Sequence, residues 1–128
     1  MKACELTIAS SADGQENNFT RKGEMELSAF GAKVCYLDEG ASVCIYFQGE
    51  TVTIDRQGDY ALKISLQHGV VSEGVLGIGG NEGIIHTLAH KVAYSINENS
   101  LLATLHYDLL IGDEPQKMKL RILARIKN

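Results

Sequence analysis

Residues 101–126, with the sequence LLATLHYDLLIGDEPQKMKLRILARI, decide the fold of this chain. Apolar side chains fall on alternate positions in two runs that flank a turn sequence centred on Gly112 and Asp113. Period two is typical of a β-strand with one buried face, and the turn joins two such strands into an antiparallel hairpin. The first run is Leu101, Ala103, Leu105, Tyr107 and Leu109, and the second is Met118, Leu120, Ile122, Ala124 and Ile126.

The turn length also predicts the register of this hairpin. A two-residue turn places Leu105 opposite Leu120, and Tyr107 opposite Met118, on one apolar face. A one-residue slip would turn Lys119 inward, so the register is strongly specified. We therefore expect Leu105 and Leu120 to be buried near the middle of the structure.

Short apolar runs separated by turn sequences continue through the rest of the chain. Phe47 and Val52, for example, face each other across a turn at Gly49–Glu50. A turn at Gly31–Ala32 likewise places Ala29 opposite Val34, and a loop at residues 57–59 places Ile54 opposite Leu62. About nine or ten strands follow one another in this way, which favours an antiparallel meander. Such a sheet has two exposed edges, which closure into a barrel removes. We predict an all-β protein, a single antiparallel up-and-down meander closed into a calycin- or lipocalin-like barrel, with one domain over residues 1–128.

For some segments the sequence does not decide the local structure. The polar residues 10–18 are expected to form a loop. After His68–Gly69, a two-residue turn would direct Glu73 into the lumen, whereas a bulged turn would direct it outward. Residues 84–96 also fit an amphipathic helix, but their register with residues 101–109 favours a strand.

Composition and charge disfavour several classes of protein. The formal net charge is −4 and the pI is near 5.5, which disfavours nucleic acid as the main partner. The basic residues of the last strand are interpreted as a solvated strand face. No run approaches the ~20 apolar residues of a membrane helix. The N-terminal residues show no apolar h-region and no cleavage site, so we expect no secretory signal. The three cysteines have no CxxC spacing, so we expect a reduced, cytoplasmic protein.

The strand interpretation directs a small set of polar side chains into the lumen. His90 opposite Tyr107 would give two buried polar groups a partner. A few polar groups within an apolar cavity are typical of a small-molecule site. The candidate ligand-binding residues are His86, His90, Tyr94, Tyr107, Tyr36 and, with a two-residue turn, Glu73.

The pair His86 and His90 raises the question of a metal site. On a helix, two histidines four residues apart could share a metal ion. On a strand they lie roughly 13 Å apart at ~3.3 Å per residue, which is too far. We predict no metal and no cofactor, and the spacing of Ser, His, Asp and Glu shows no recognisable catalytic motif.

Two stretches carry a family resemblance. They are residues 49–54 (GETVTI) with 56–58 (RQG), and residues 105–114 (LHYDLLIGDE). With the order of elements from Gly23 onward, they resemble the YwiB-like family of small bacterial proteins, calycin-like β-barrels of unknown function. The resemblance implies a barrel and brings no catalytic motif.

These observations support three hypotheses about function. The first is a non-enzymatic barrel that binds a small apolar or amphipathic molecule in its lumen. The second is a structural or interaction protein with a packed barrel, in which Leu102, Leu110 and Leu123 on the outer face contact a second copy or another partner. The third, which we rank last, is an enzyme that uses lumenal His and Tyr as acid–base groups.

Overall fold

Ten antiparallel strands form the protein in the computed structural model, which describes residues 1–127. Each strand pairs with its neighbours in sequence, and β1 closes against β10, so the predicted up-and-down barrel is confirmed. No helix among these residues is long and apolar enough to span a membrane. The strands are β1 (Lys2–Ala12), β2 (Gln15–Leu27), β3 (Gly31–Asp38), β4 (Ala41–Gln48), β5 (Thr51–Gln57), β6 (Tyr60–Gln67), β7 (Val71–Ile78), β8 (Asn81–Ile96), β9 (Ser100–Ile111) and β10 (Glu114–Ile126).

Large apolar side chains fill the middle of the barrel. Leu105 lies opposite Leu120, and Tyr107 opposite Met118, so the predicted register of the last hairpin is confirmed. Leu105 is fully buried, whereas Leu120 is half-buried and borders Ser10 of β1. The largest fully buried side chains are Phe47, Leu6, Ile8, Met25, Ile45, Ile64, Leu66, Leu101, Leu105, Ile122, Val34 and Val52.

The two ends of the barrel carry different connections. Every connection at one end is a two-residue turn, at residues 13–14, 39–40, 58–59, 79–80 and 112–113, whereas three of the four connections at the other end have three residues. At Asp13 and Gly14 both φ angles are positive, 50° and 84°, as a type I′ hairpin turn requires. The Asp13 carboxylate accepts a hydrogen bond from the backbone N–H of Lys117 at 2.8 Å. Residues 10–18, expected to be a loop, are therefore a tight hairpin.

The connection between β2 and β3 lies earlier than predicted. We expected a turn at Gly31–Ala32, but the Ser28 hydroxyl accepts a hydrogen bond from the N–H of Gly31 at 3.1 Å and closes the connection before Gly31. Met25 therefore pairs with Val34. The pairing differs from the prediction by an even number of residues, so the same side chains face the lumen.

A β-bulge in β8 reverses the predicted alternation. Ala89 pairs with Tyr107 and Lys91 pairs with His106, which leaves His90 as the extra residue. Odd-numbered residues face the lumen before the bulge, and even-numbered residues face it afterwards. The predicted pair of His90 and Tyr107 is wrong, because one inserted residue changes the parity of the strand. The strand itself, predicted for residues 84–96, is confirmed.

The cysteines differ from the expectation of three reduced thiols. Cys35 and Cys44 lie directly opposite each other on β3 and β4, with Cα atoms 4.1 Å apart, and form a disulfide. Cys4 is a buried free thiol, and burial raises its pKa. The pairing follows from the strand register and needs no CxxC motif, so cysteine spacing gave no signal of it. The cytoplasmic location stays a prediction.

Candidate functional site

Aromatic and charged side chains line the lumen at the end closed by the two-residue turns, which we call the lumen mouth. Their inward direction follows from the register, since Arg21 lies opposite buried Leu6, and Arg56 lies opposite buried Val43. The side chains that define the mouth are Phe19, Arg21, Tyr36, Arg56, Tyr60 and Tyr107.

Two tyrosines of the mouth have strongly raised pKa values. Tyr36 and Tyr107 face the lumen as expected, and Tyr107 is only 7% exposed. Burial, as the largest cause, raises the pKa of each hydroxyl to about 12. Among the described residues, the Tyr107 hydroxyl has no hydrogen-bond partner. Every fully buried polar side-chain atom of these residues does have a partner, so this hydroxyl is not fully buried. Solvent therefore reaches this hydroxyl through the mouth.

Two ion pairs hold the arginines at the mouth. The Arg21 guanidinium donates to the Asp38 carboxylate at 2.9 Å, and Arg56 donates to Asp59 at the same distance. Arg56 also donates to the backbone oxygen of Tyr60 at 2.7 Å, and its guanidinium carbon lies 3.7 Å from the Tyr60 ring centroid. Stacking and hydrogen bonding together fix the guanidinium plane. The hydrogen bond from Arg56 also lowers the pKa of Asp59.

The sequence analysis did not place Arg21 or Arg56 in the lumen, although the alternation of residues along each strand indicated that they face it. Arg56 has the same parity as Val52 and Ile54, which were assigned to the lumen. Arg21 has the same parity as Met25. Charged side chains usually face solvent, and the strand that includes Arg21 was expected to begin later. The open end of a barrel is where an inward-facing charge can still reach water, so composition alone could not reveal these positions.

Three of the candidate lumen residues lie on the outer face. Nε2 of His86 is 3.8 Å from a carboxylate oxygen of Glu73, and Nε2 of His90 is 2.9 Å from Oδ2 of Asp108. His86, His90 and Glu73 are exposed, so the prediction that the two histidines face the lumen is wrong, and the bulged-turn alternative holds for Glu73. The β8 bulge is the reason for the histidines. Within residues 1–127, no three His, Cys, Asp or Glu side chains are arranged to hold a metal ion.

Tyr94 lies at the opposite end of the barrel from the mouth. Its hydroxyl donates to the backbone oxygen of Gly49 at 2.7 Å, and its ring centroid is 5.2 Å from that of Phe47. It borders a cleft of about 850 Å³ that also includes Glu50 and His68. Because its hydroxyl is already bonded within the protein, Tyr94 contributes to closing this end rather than to the group of Tyr36 and Tyr107.

We expect the mouth tyrosines to control stability at alkaline pH. The pKa values of Tyr36 and Tyr107 rise from 10.0 to about 12 in the folded protein, so the folded state keeps protons that the unfolded state loses. Stability is thus fully present below about pH 10 and falls as the pH rises toward about 12. Ultraviolet absorbance of tyrosinate, recorded with circular dichroism, measures this. Ionisation of all five tyrosines near pH 10 in a folded protein would contradict the expectation.

Comparison with known proteins gives a fold and a family. The crystal structure of the ywiB protein from Bacillus subtilis superposes with a TM-score of 0.84 over 99% of this chain and 93% of that chain, at 14% sequence identity. At that identity the likeness concerns the fold, and it agrees with the resemblance seen in the sequence. A search of curated proteins found no match. The model of a domain of unknown function, DUF1934, matches residues 4–122, and this chain therefore belongs to the DUF1934 family.

Proposed function

We propose that this barrel binds a small, partly apolar molecule at the lumen mouth. The observation that carries the proposal is the pair of lumen-facing hydroxyls of Tyr36 and Tyr107, placed above an apolar core. A protein that only needed a packed interior would not require polar groups there, because apolar side chains of similar volume would fill the same space.

The depth of the site follows from the packing. The middle of the barrel is filled by fully buried side chains, so the ligand would lie at the mouth and not along the whole lumen. Half-buried apolar side chains form the floor of the mouth and would contact the apolar part of the ligand. They are Phe19, Leu62, Leu76, Met118 and Leu120.

The polar part of the ligand would meet the tyrosine hydroxyls. Tyr107 offers a hydroxyl that has no partner within residues 1–127, and Tyr36 lies close enough to Arg21 and Arg56 for their charges to act on it. A few oriented polar groups on an apolar wall give a ligand its orientation. The arginines are already paired with Asp38 and Asp59, so their main contribution would be to position the mouth.

Tyr107→Phe separates ligand binding from folding. Native mass spectrometry of protein purified from its own host should show a small-molecule adduct on the wild type and its loss or weakening in Tyr107→Phe. The free energy of unfolding should change by about 0.5 kcal/mol or less, because the hydroxyl has no protein partner to leave unsatisfied.

The matched control is Tyr46→Phe, which removes the same hydroxyl from the outer face of β4. It should leave the adduct unchanged. A wild-type protein without an adduct, or equal retention by both variants, would refute the binding proposal. A loss of about 1–3 kcal/mol in Tyr107→Phe would instead indicate a buried hydrogen bond.

A second candidate function is contact with a second copy through the outer face. Leu102 and Leu123 lie opposite each other there, and Leu102 is 37% exposed. Adjacent apolar side chains on a solvated sheet face favour association. The same native mass spectra report the oligomeric state, and Leu102→Glu should convert a dimer to a monomer. The enzymatic hypothesis depended on histidines in the lumen. Because His86 and His90 face outward, we do not propose it.

A further inference from the structure

A basic groove crosses the outer face of β8, β9, β10, β1 and β2. His106 on β9 lies opposite Lys91 on one side and Lys119 on the other, and Arg121 lies opposite Thr104. The groove has a volume of about 460 Å³. The side chains that define it are Lys91, Thr104, His106, Lys119, Arg121 and Ser11.

Small residues of β1 create the depression. Lys119 lies opposite Ser11, and Arg121 lies opposite Ala9, so long cationic side chains border short ones. Because outward side chains stand perpendicular to the sheet, a column of small residues leaves a channel between the larger ones. The long side chains of β10 therefore form one wall of this channel.

Within residues 1–127, the groove brings together three cationic side chains and a single carboxylate, that of Glu16. Lys91, Lys119 and Arg121 form no ion pair within 4.0 Å among residues 1–127. Burial lowers the pKa of His106, and the charges of Lys119 and Lys91 lower it further. The carboxylate of Glu16 lines the same groove but pairs with none of these cations. Like charges gathered without counter-charges cost stability, which a bound anion would recover.

We propose that the basic groove binds a compact phosphate-bearing anion. The planar guanidinium of Arg121 can donate hydrogen bonds to two phosphate oxygens at once, and Lys119 and Lys91 add mobile ammonium groups. The hydroxyls of Ser11 and Thr104 are within the same depression as further donors. The small volume of this open groove suits a small ligand, and a net charge of −4 disfavours a long polyanion such as nucleic acid.

The groove is distinct from the lumen mouth, although Leu120 borders both. Its cationic side chains stand on the outer face, whereas Tyr36 and Tyr107 face the lumen. Either proposal can therefore fail without the other.

Isothermal titration calorimetry with inorganic pyrophosphate at low ionic strength tests the proposal. Lys119→Ala and Arg121→Ala should each raise Kd about tenfold or more, the loss expected for one charge-assisted hydrogen bond. Both side chains are exposed, so the variants should fold. The matched control is Lys117→Ala, on the same outer face of β10 but outside the groove, which should change Kd less than about twofold.

The imidazole of His106 gives a second readout. Its ring signals, followed by nuclear magnetic resonance against pH, should show a higher pKa with pyrophosphate bound, and the rise should disappear in Arg121→Ala. Undetectable pyrophosphate binding, or equal weakening by Lys117→Ala and Lys119→Ala, would overturn the proposal. Tighter binding of a DNA oligonucleotide than of pyrophosphate would overturn the assignment to a compact anion.

Discussion

Leu105→Ala should lower the free energy of unfolding by about 2–5 kcal/mol, which makes it one of the two most damaging single substitutions considered. Leu105 is fully buried in the middle of β9 and lies opposite Leu120 and Val92 on its two sides. Removing its side chain forfeits the transfer free energy of the lost atoms. It also leaves a cavity, because neighbouring strands of a closed barrel cannot move inward independently. Urea unfolding with an unchanged m-value measures the loss.

Leu102→Ala is the matched control for Leu105→Ala. Leu102 lies on the same strand but faces outward, and 37% of it is exposed. Truncation of Leu102 should lower the free energy of unfolding by less than about 1 kcal/mol. A one-residue slip of β9 would exchange the two results, so comparable losses in both variants would show that the register is different.

Gly31→Ala should destabilise the protein by about 3 kcal/mol or more. A Cβ atom at Gly31 would overlap the backbone oxygen of Phe47 on the neighbouring strand β4. A side chain could rotate away from such a contact, but a backbone carbonyl within a sheet cannot move without breaking the pairing of β3 and β4. Thermal and urea unfolding would both show the loss.

Gly83→Ala provides the comparison for Gly31→Ala. Gly83 also lies in a strand, β8, and nothing lies within 4 Å of the Cβ position there. Its replacement should be neutral or should stabilise by about 0.4–1 kcal/mol, because Ala has less freedom in the unfolded chain. If Gly31→Ala were as harmless as Gly83→Ala, the close approach of β3 to β4 would be wrong.

Alternation of apolar residues predicted the barrel, but it predicted individual pairs less well. Ile54 pairs with Ile64 and not, as expected, with Leu62. An offset of two residues leaves the same side chains in the lumen, so the apolar pattern does not detect it. An offset of one residue, as at the β8 bulge, moves every following side chain to the other face and therefore affects the candidate site.

The sequence by itself determined the all-β class, the meander order and the register of the last hairpin. Each depends on local information: period two, short turns and the apolar face between Leu105 and Leu120. Tyr36 and Tyr107 could also be placed in the lumen for this reason. Only the tertiary structure decided that His86 and His90 face outward and that Arg21 and Arg56 face inward. A bulge inserts one residue without a clear sequence signal, and an inward charge is tolerated only where closure of the barrel leaves an end open to water.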